Sequence, residues 1–162
     1  MQANPYAPPK AELADTLQDG TSPHLWNPGA AANWSLLFSP AFGAFLHMKN
    51  WEALGEPDKA AAAKKWVVLT LIVLALLPVA TVLLANNGSM AAVPRLTGIV
   101  LLFGWYFSNG RGQMAYVNSK FGKRYPRRGW GKPVLIAVSA LVGFYIYAVV
   151  VVIAGATLNH RM

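Results

Sequence analysis

Between Trp66 and Leu84 the chain reads WVVLTLIVLALLPVATVLL, nineteen residues without a charge, thirteen of them Val, Leu or Ile. A bilayer core about 30 Å thick is crossed by about 20 helical residues rising 1.5 Å each, so this run has the length of a membrane-spanning helix. At about −0.3 to −0.6 kcal/mol per such residue, the aliphatic side chains alone favour insertion by about 4–8 kcal/mol, enough to carry Thr70, Thr81 and Pro78. The alternative home for such a run is a soluble core. With 55% hydrophobic and 12% charged residues in 162, the chain is far from the balance of a soluble domain, which carries about 25% charge.

Two further runs repeat the pattern. Residues 134–156, VLIAVSALVGFYIYAVVVVIAGA, are equally apolar and slightly longer. Residues 90–107, MAAVPRLTGIVLLFGWYF, include Arg95, which near the end of a span can reach the headgroups along its aliphatic stem. Pro94 suits an early helical position after the ANNGSM turn. Gly110 and Gly112 allow a stop, but QMAYVNSKF is expected to continue this helix to about Phe121.

Charge is distributed unevenly. All six acids (Glu12, Asp15, Asp19, Glu52, Glu56, Asp58) lie in residues 1–58, which carry 2 − 6 = −4, while the remainder holds twelve basic residues and no acid. Lys59, Lys64 and Lys65 precede the first span, and the connection 108–133 holds Arg111, Lys120, Lys123, Arg124, Arg127, Arg128 and Lys132. The positive-inside rule then gives a cytoplasmic N-terminus, an outward first loop, an inward basic loop and a periplasmic or extracellular C-terminus. Trp66 and Trp130 fall where spans meet the cytoplasmic surface, as interfacial anchors do.

Residues 1–32 contain Pro5, Pro8, Pro9, Pro23 and Pro28 with one weak helical patch, AELADTLQ, and are expected to form a mobile polar tail. No basic n-region precedes an apolar core there, so no cleavable secretory signal is expected. The next stretch, NWSLLFSPAFGAFLHMKNW, is interrupted by Pro40 and Gly43 and is too short and broken for a span. Asn33 can cap its first turn, Ser39–Pro40 restarts a helix, and Gly55 lies past that helix's end near Leu54. Phe38, Phe42, Phe45 and Leu46 form an apolar face bracketed by Trp34 and Trp51. Residues 33–56 are therefore expected to be an interfacial or re-entrant helical segment, with a fourth crossing as the alternative. The fold class is an all-α membrane protein of three spans, 66–84, 90–107 and 134–156, within a membrane domain 57–162.

The pattern WNPGAAANWSLLFSPAFGAFLHMKNWEALGEP, followed by a lysine-flanked span, resembles the opening of a group of small, mostly uncharacterised bacterial inner-membrane proteins. GQMAYVNSKFGKRYPRRGWGKP before the last span resembles a recurrent piece of the same group, so the resemblance covers about residues 26–134. It implies a bacterial inner-membrane location and brings no catalytic residue to this chain. Such proteins are sometimes encoded beside secreted toxins.

Chemistry is sparse. There are no cysteines, hence no thiolate nucleophile or disulfide. Glu52, Glu56 and Asp58 cluster at a helix break, where helix-end charges beside Lys49 and Lys59 account for them. The spans carry no acid, which argues against a carboxylate relay. His24, His47 and His160 have no metal-binding spacing, and neither metal nor cofactor is expected. The segment KFGKRYPRRGWGK places Lys120, Lys123, Arg124, Arg127, Arg128 and Lys132 among aromatics, a surface for anionic lipid headgroups or an acidic partner, the chain's own acidic tail being one candidate. Nucleic acid is excluded, because that basic surface lies between spans. Gly104 with Ser108, and Ser139 with Gly143, are small pairs that permit close helix packing. The expected function is non-catalytic: an accessory, scaffold or binding partner of another membrane protein or of lipid. The alternative is an immunity protein neutralising a membrane-inserting toxin, and third comes a small channel or transporter.

Overall fold

Prolines and glycines set the boundaries of the helices. The computed structural model describes residues 22–84 and 92–159, and every regular element among them is helical. The AELADTLQ patch, the three acids Glu12, Asp15 and Asp19, the ANNGSM turn and His160 lie outside the described residues.

Helix α1 (Pro28–Leu37) starts at a proline that needs no donor, and the Asn27 side chain caps it by accepting from the Gly29 and Ala30 N–H groups at 3.0 and 3.3 Å. The expected start after Asn33 is therefore corrected to Pro28. The tail boundary at residue 32 moves with it, since Leu25, Pro28, Ala31 and Ala32 are buried. Helix α2 (Pro40–Ala53) begins at its proline as expected, but Ser39 makes no side-chain cap bond. It ends at Leu54, and Gly55 takes φ 73°, a left-handed conformation that glycine adopts without strain. Pro57 then opens α3 (Pro57–Leu84), which α2 packs against along its first half.

Helix α4 (Val93–Trp105) runs through a π turn (Tyr106–Gly110) into α5 (Arg111–Phe121), which Gly122 closes with φ 57°. The continuation to Phe121 is present, so the connection 108–133 is helical over 111–121 rather than loop throughout. The π turn has a packing reason. Trp105 and Gln113 are both fully buried against α2, yet eight residues make about 2.2 turns of α-helix. One residue absorbed by the π turn returns Gln113 to the Trp105 face.

The last helix, α6 (Gly131–Asn159), meets α3 at two places: the Tyr147 hydroxyl donates to the Ala75 carbonyl at 2.6 Å, and Gly155 abuts Val82. Those contacts advance together along both chains, so α3 and α6 run parallel. Among the described residues two helices are long and apolar enough to cross a membrane: Pro57–Leu84 and Gly131–Leu158, with mean hydropathy 2.9 and 2.6. Only 11% and 6% of their apolar windows are buried, whereas a soluble core helix would be covered on most sides. The middle run is not a third long apolar helix of this kind, because the π turn leaves α4 with 13 residues.

Candidate functional site

The molecule divides into a packed helical head and a pair of exposed apolar helices, and the candidate site lies where they join. At the centre of the head is Trp105, fully buried against Ala32 and Ala44 and flanked by Trp66, Val67 and Leu102. Gly43 makes room for it: a Cβ there would collide with the indole and with Ser35 Oγ.

Above this core, a polar lock joins three segments far apart in sequence. Asn50 pairs with the backbone of Trp26 in both directions, its Oδ1 accepting from the Trp26 N–H at 3.0 Å and its Nδ2 donating to the Trp26 carbonyl at 2.8 Å. Asn50 Nδ2 also donates to Gln113 Oε1 at 3.1 Å, and Gln113 Nε2 donates to the His47 carbonyl at 2.8 Å. Both buried amides thereby find partners for their oxygen and nitrogen, which is the condition for burying them without loss.

His47 completes the lock. Its Nε2 lies 3.1 Å from the Pro28 carbonyl, which only accepts, so Nε2 carries the hydrogen; the ring meets Trp105 edge-on at 5.3 Å. Burial pushes the imidazole down from 6.5 to about 4, outweighing the upward pull of the Pro28 bond. The unfolded chain therefore binds a proton below pH 6.5 that the folded head refuses until about 4. Stability is expected to be intact above pH 6.5 and to fall by up to about 3 kcal/mol as the pH drops to about 4. Unfolding in mixed micelles between pH 6.5 and 5, above the range where the carboxylates titrate, checks this; a flat profile would contradict it.

The lock holds an N-terminal strap against the basic segment. The Leu25 N–H donates to the Pro126 carbonyl at 3.1 Å and the Arg128 N–H to the Leu25 carbonyl at 2.9 Å, while Trp26 Nε1 donates to the Gly129 carbonyl at 3.0 Å. Arg128 stacks over Trp26 at 4.7 Å and Arg127 over Tyr125 at 5.7 Å. Lys120 lies over Tyr116 and Phe121, Arg124 is exposed, and Lys132 is exposed in the first turn of α6. Lys123 and Arg127 edge a cavity of about 450 Å³ beside the start of α1. The six expected cations thus lie along one segment, the basic rim, from the end of α5 to the start of α6, which bonds to Leu25 and Trp26 hold in place.

Two of the three described acids are paired. Lys49 pairs with Glu52 at 2.8 Å and Lys59 with Glu56 at 3.1 Å. Tyr116 donates to Glu56 at 2.8 Å, and that bond, with Lys59 next, holds the Glu56 carboxyl below its usual range.

Of the four expected anchors, Trp34 and Trp130 meet at 6.3 Å, and Trp66 packs half-buried beside Trp105. Trp51 is corrected: it is buried at 4% exposure against Tyr116 and Ala63, because α2 folds back onto α3. Among the packing pairs, Gly104 lies close to Trp66, whereas Ser108 bonds back to the Gly104 carbonyl and is exposed. The other pair, Ser139 and Gly143, faces open space: Ser139 is exposed and nothing lies within 4 Å of a Cβ at Gly143. Gly155 makes the α3–α6 approach instead, because the two helices meet further along.

A second cavity, about 750 Å³ and mostly apolar, lies between the α1–α2 corner, α3 and α6. Sequence reasoning missed it, along with Trp26, Asn50, Gln113 and Gly43; the only hint was uncharged amides set in otherwise apolar patterns. No family model, curated protein or solved structure matches this chain.

Proposed function

We propose that this chain is a non-catalytic integral protein of the bacterial inner membrane, an accessory or scaffold that binds another membrane protein or lipid through its head and basic rim. The observation that carries this is the division of surfaces. The head is tied together by the Asn50, Gln113 and Trp26 bonds, while α3 and α6 leave apolar sides uncovered, Ile72, Ile146 and Val150 among them. Lipid is the solvent that suits such helices.

Three crossings are part of the proposal. Because α3 and α6 run parallel, the intervening chain must return through the same thickness, and α4 is the segment available for it. Gly104 near the end of α4 lies against Trp66 near the membrane end of α3's polar turns, as an antiparallel neighbour would. The α1–α2 corner lines a cavity with Leu71, Leu74 and Ala75, nine residues or about 13 Å beyond Trp66, which favours a re-entrant hairpin over one lying flat.

Since the native chain has no thiol, single cysteines report sidedness without background. Gly88→Cys is expected to label with an impermeant maleimide in intact cells, and Arg124→Cys only after the membrane is opened. Labelling of position 124 from outside would overturn the orientation, and a monodisperse protein without detergent would overturn the membrane reading.

A further inference from the structure

We infer that the 750 Å³ groove holds an acyl chain of one anionic diacyl phospholipid, with its headgroup against Lys132 and the indoles of Trp34 and Trp130. The inference rests on the membrane embedding proposed above and names the ligand of one site within it.

The groove has a built shape. Its far end is closed where the Tyr147 hydroxyl bonds the Ala75 carbonyl at 2.6 Å, drawing α3 and α6 together. Nearer the head the two helices are held apart by the α1–α2 corner, whose Phe38 and Phe42 rings pack edge to face at 5.1 Å. On α6 the facing positions include Ala137 and Ala140, too short to fill the gap. The volume falls within the ~300–1,000 Å³ of small-molecule sites, and the closed far end blocks a partner helix, which needs about 10–12 Å across.

Its lining and its mouth differ in chemistry. No carboxylate and no cation lines the groove; of its three hydroxyls, Ser39, Tyr145 and Tyr147, the last donates to Ala75, and the other fourteen lining residues are apolar, which suits hydrocarbon. Lys132 stands one turn before Ile136 on the helix face that continues through Ala140 and Phe144, all four at steps of i,i+4. From the basic rim, rings descend in sequence: Trp130 to Trp34 at 6.3 Å, Trp34 to Phe38 at 5.6 Å, then Phe42. Indoles at headgroup depth, a cation beside them and an acid-free apolar slot below match a lipid that is negative at one end and aliphatic at the other.

The test uses the full chain in phosphatidylcholine vesicles, with a trace of phosphatidylglycerol carrying a photoreactive group in its acyl chain. Cross-links are expected to concentrate on the half-buried Phe42, Leu74 and Phe144, and to fall about fivefold in Lys132→Gln, the weight of one cation near an anionic surface. Ala140→Trp, which fills the slot, should abolish them while leaving background labelling of the outward Val149 and Ile153 unchanged. Lys132→Gln leaves the groove's shape alone, so its result stands even if the tryptophan disturbs packing. Even labelling of groove and outward faces would overturn the site and leave the membrane reading intact. So would equal capture of a phosphatidylcholine probe, or a polypeptide cross-linked in the groove. A chain that does not enter the vesicles at all overturns both.

Discussion

Asn50→Ala is expected to cost about 3–5 kcal/mol, the largest loss from any single polar truncation in the head. The side chain satisfies the Trp26 N–H, the Trp26 carbonyl and Gln113 Oε1 at once, all at 2.8–3.1 Å, and Asn50 is 1% exposed. Removing it leaves one donor and two acceptors without partners, Gln113 Oε1 fully buried and the Trp26 groups partly so, each costing about 1–3 kcal/mol before the head relaxes. The loss has a spatial signature. Trp26 belongs to the strap that Leu25 pins to Pro126 and Arg128, so the strap should detach before the head unfolds. Unfolding in mixed micelles measures the energy, and trypsin sensitivity at Arg127 and Arg128 reads the strap: the variant should be cut there many times faster than the native chain. Unchanged cleavage with reduced stability would show that the lock supports α2 alone. Asn50→Asp separates shape from charge, because it keeps the acceptor for Trp26 but faces the Trp26 carbonyl and Gln113 Oε1 with a carboxylate oxygen.

The elements that can be read from the chain act locally. The runs 66–84 and 134–156 declare helices by composition, which needs no distant partner. Pro40, Gly55 and Pro57 act within a turn of themselves, so the helix–proline–helix character of the opening stretch and the end of α2 are legible from residues alone. The start of α1 is less so. Asn27 and Asn33 are equally good caps in isolation, and what selects Asn27 is the pairing of Leu25 with Pro126 and Arg128, a segment about a hundred residues away.

Distant pairings are hidden for the same reason. Asn50 and Gln113 are 63 positions apart and the chain between them carries no trace of their bond, which depends on a π turn that the sequence YFSNG does not announce. Tryptophans show the problem from another side. Trp51 and Trp34 bracket the same run, yet one is packed on Tyr116 and the other sits at the rim, because only the path of α3 decides which face is covered. The small pairs teach a related lesson: Ser139 and Gly143 permit an approach, but the line along which α3 meets α6 passes through Gly155.

Gly43→Ala is the second large effect, and its direction is opposite to what helix propensity alone predicts. In an exposed helix interior the change would stabilise by about 1 kcal/mol. Here the new methyl would lie 2.5 Å from the Trp105 ring carbon Cη2 and still closer to Ser35 Oγ, in a head where Trp105 and Ser35 are buried on every side. Neither neighbour is a flexible chain end. The indole is wedged between Ala32, Ala44 and the His47 ring, and the Ser35 hydroxyl is held by the Ala31 carbonyl at 2.9 Å. Forced overpacking of this kind costs about 1–3 kcal/mol, so a net loss of about 2 kcal/mol is expected. A double-mutant cycle identifies the cause. Trp105→Phe removes the ring atoms in the way and Ser35→Ala removes the hydroxyl, so Gly43→Ala should become markedly less harmful on that background, by a coupling of about 1–2 kcal/mol. Strict additivity would mean that Gly43 is required for its backbone rather than for the space it leaves. A stabilised Gly43→Ala single variant would mean that the α1–α2 hairpin does not close over Trp105 at all. The α1–α2 corner that borders the 750 Å³ groove depends on that closure, so this small substitution also tests whether that wall of the groove is in place.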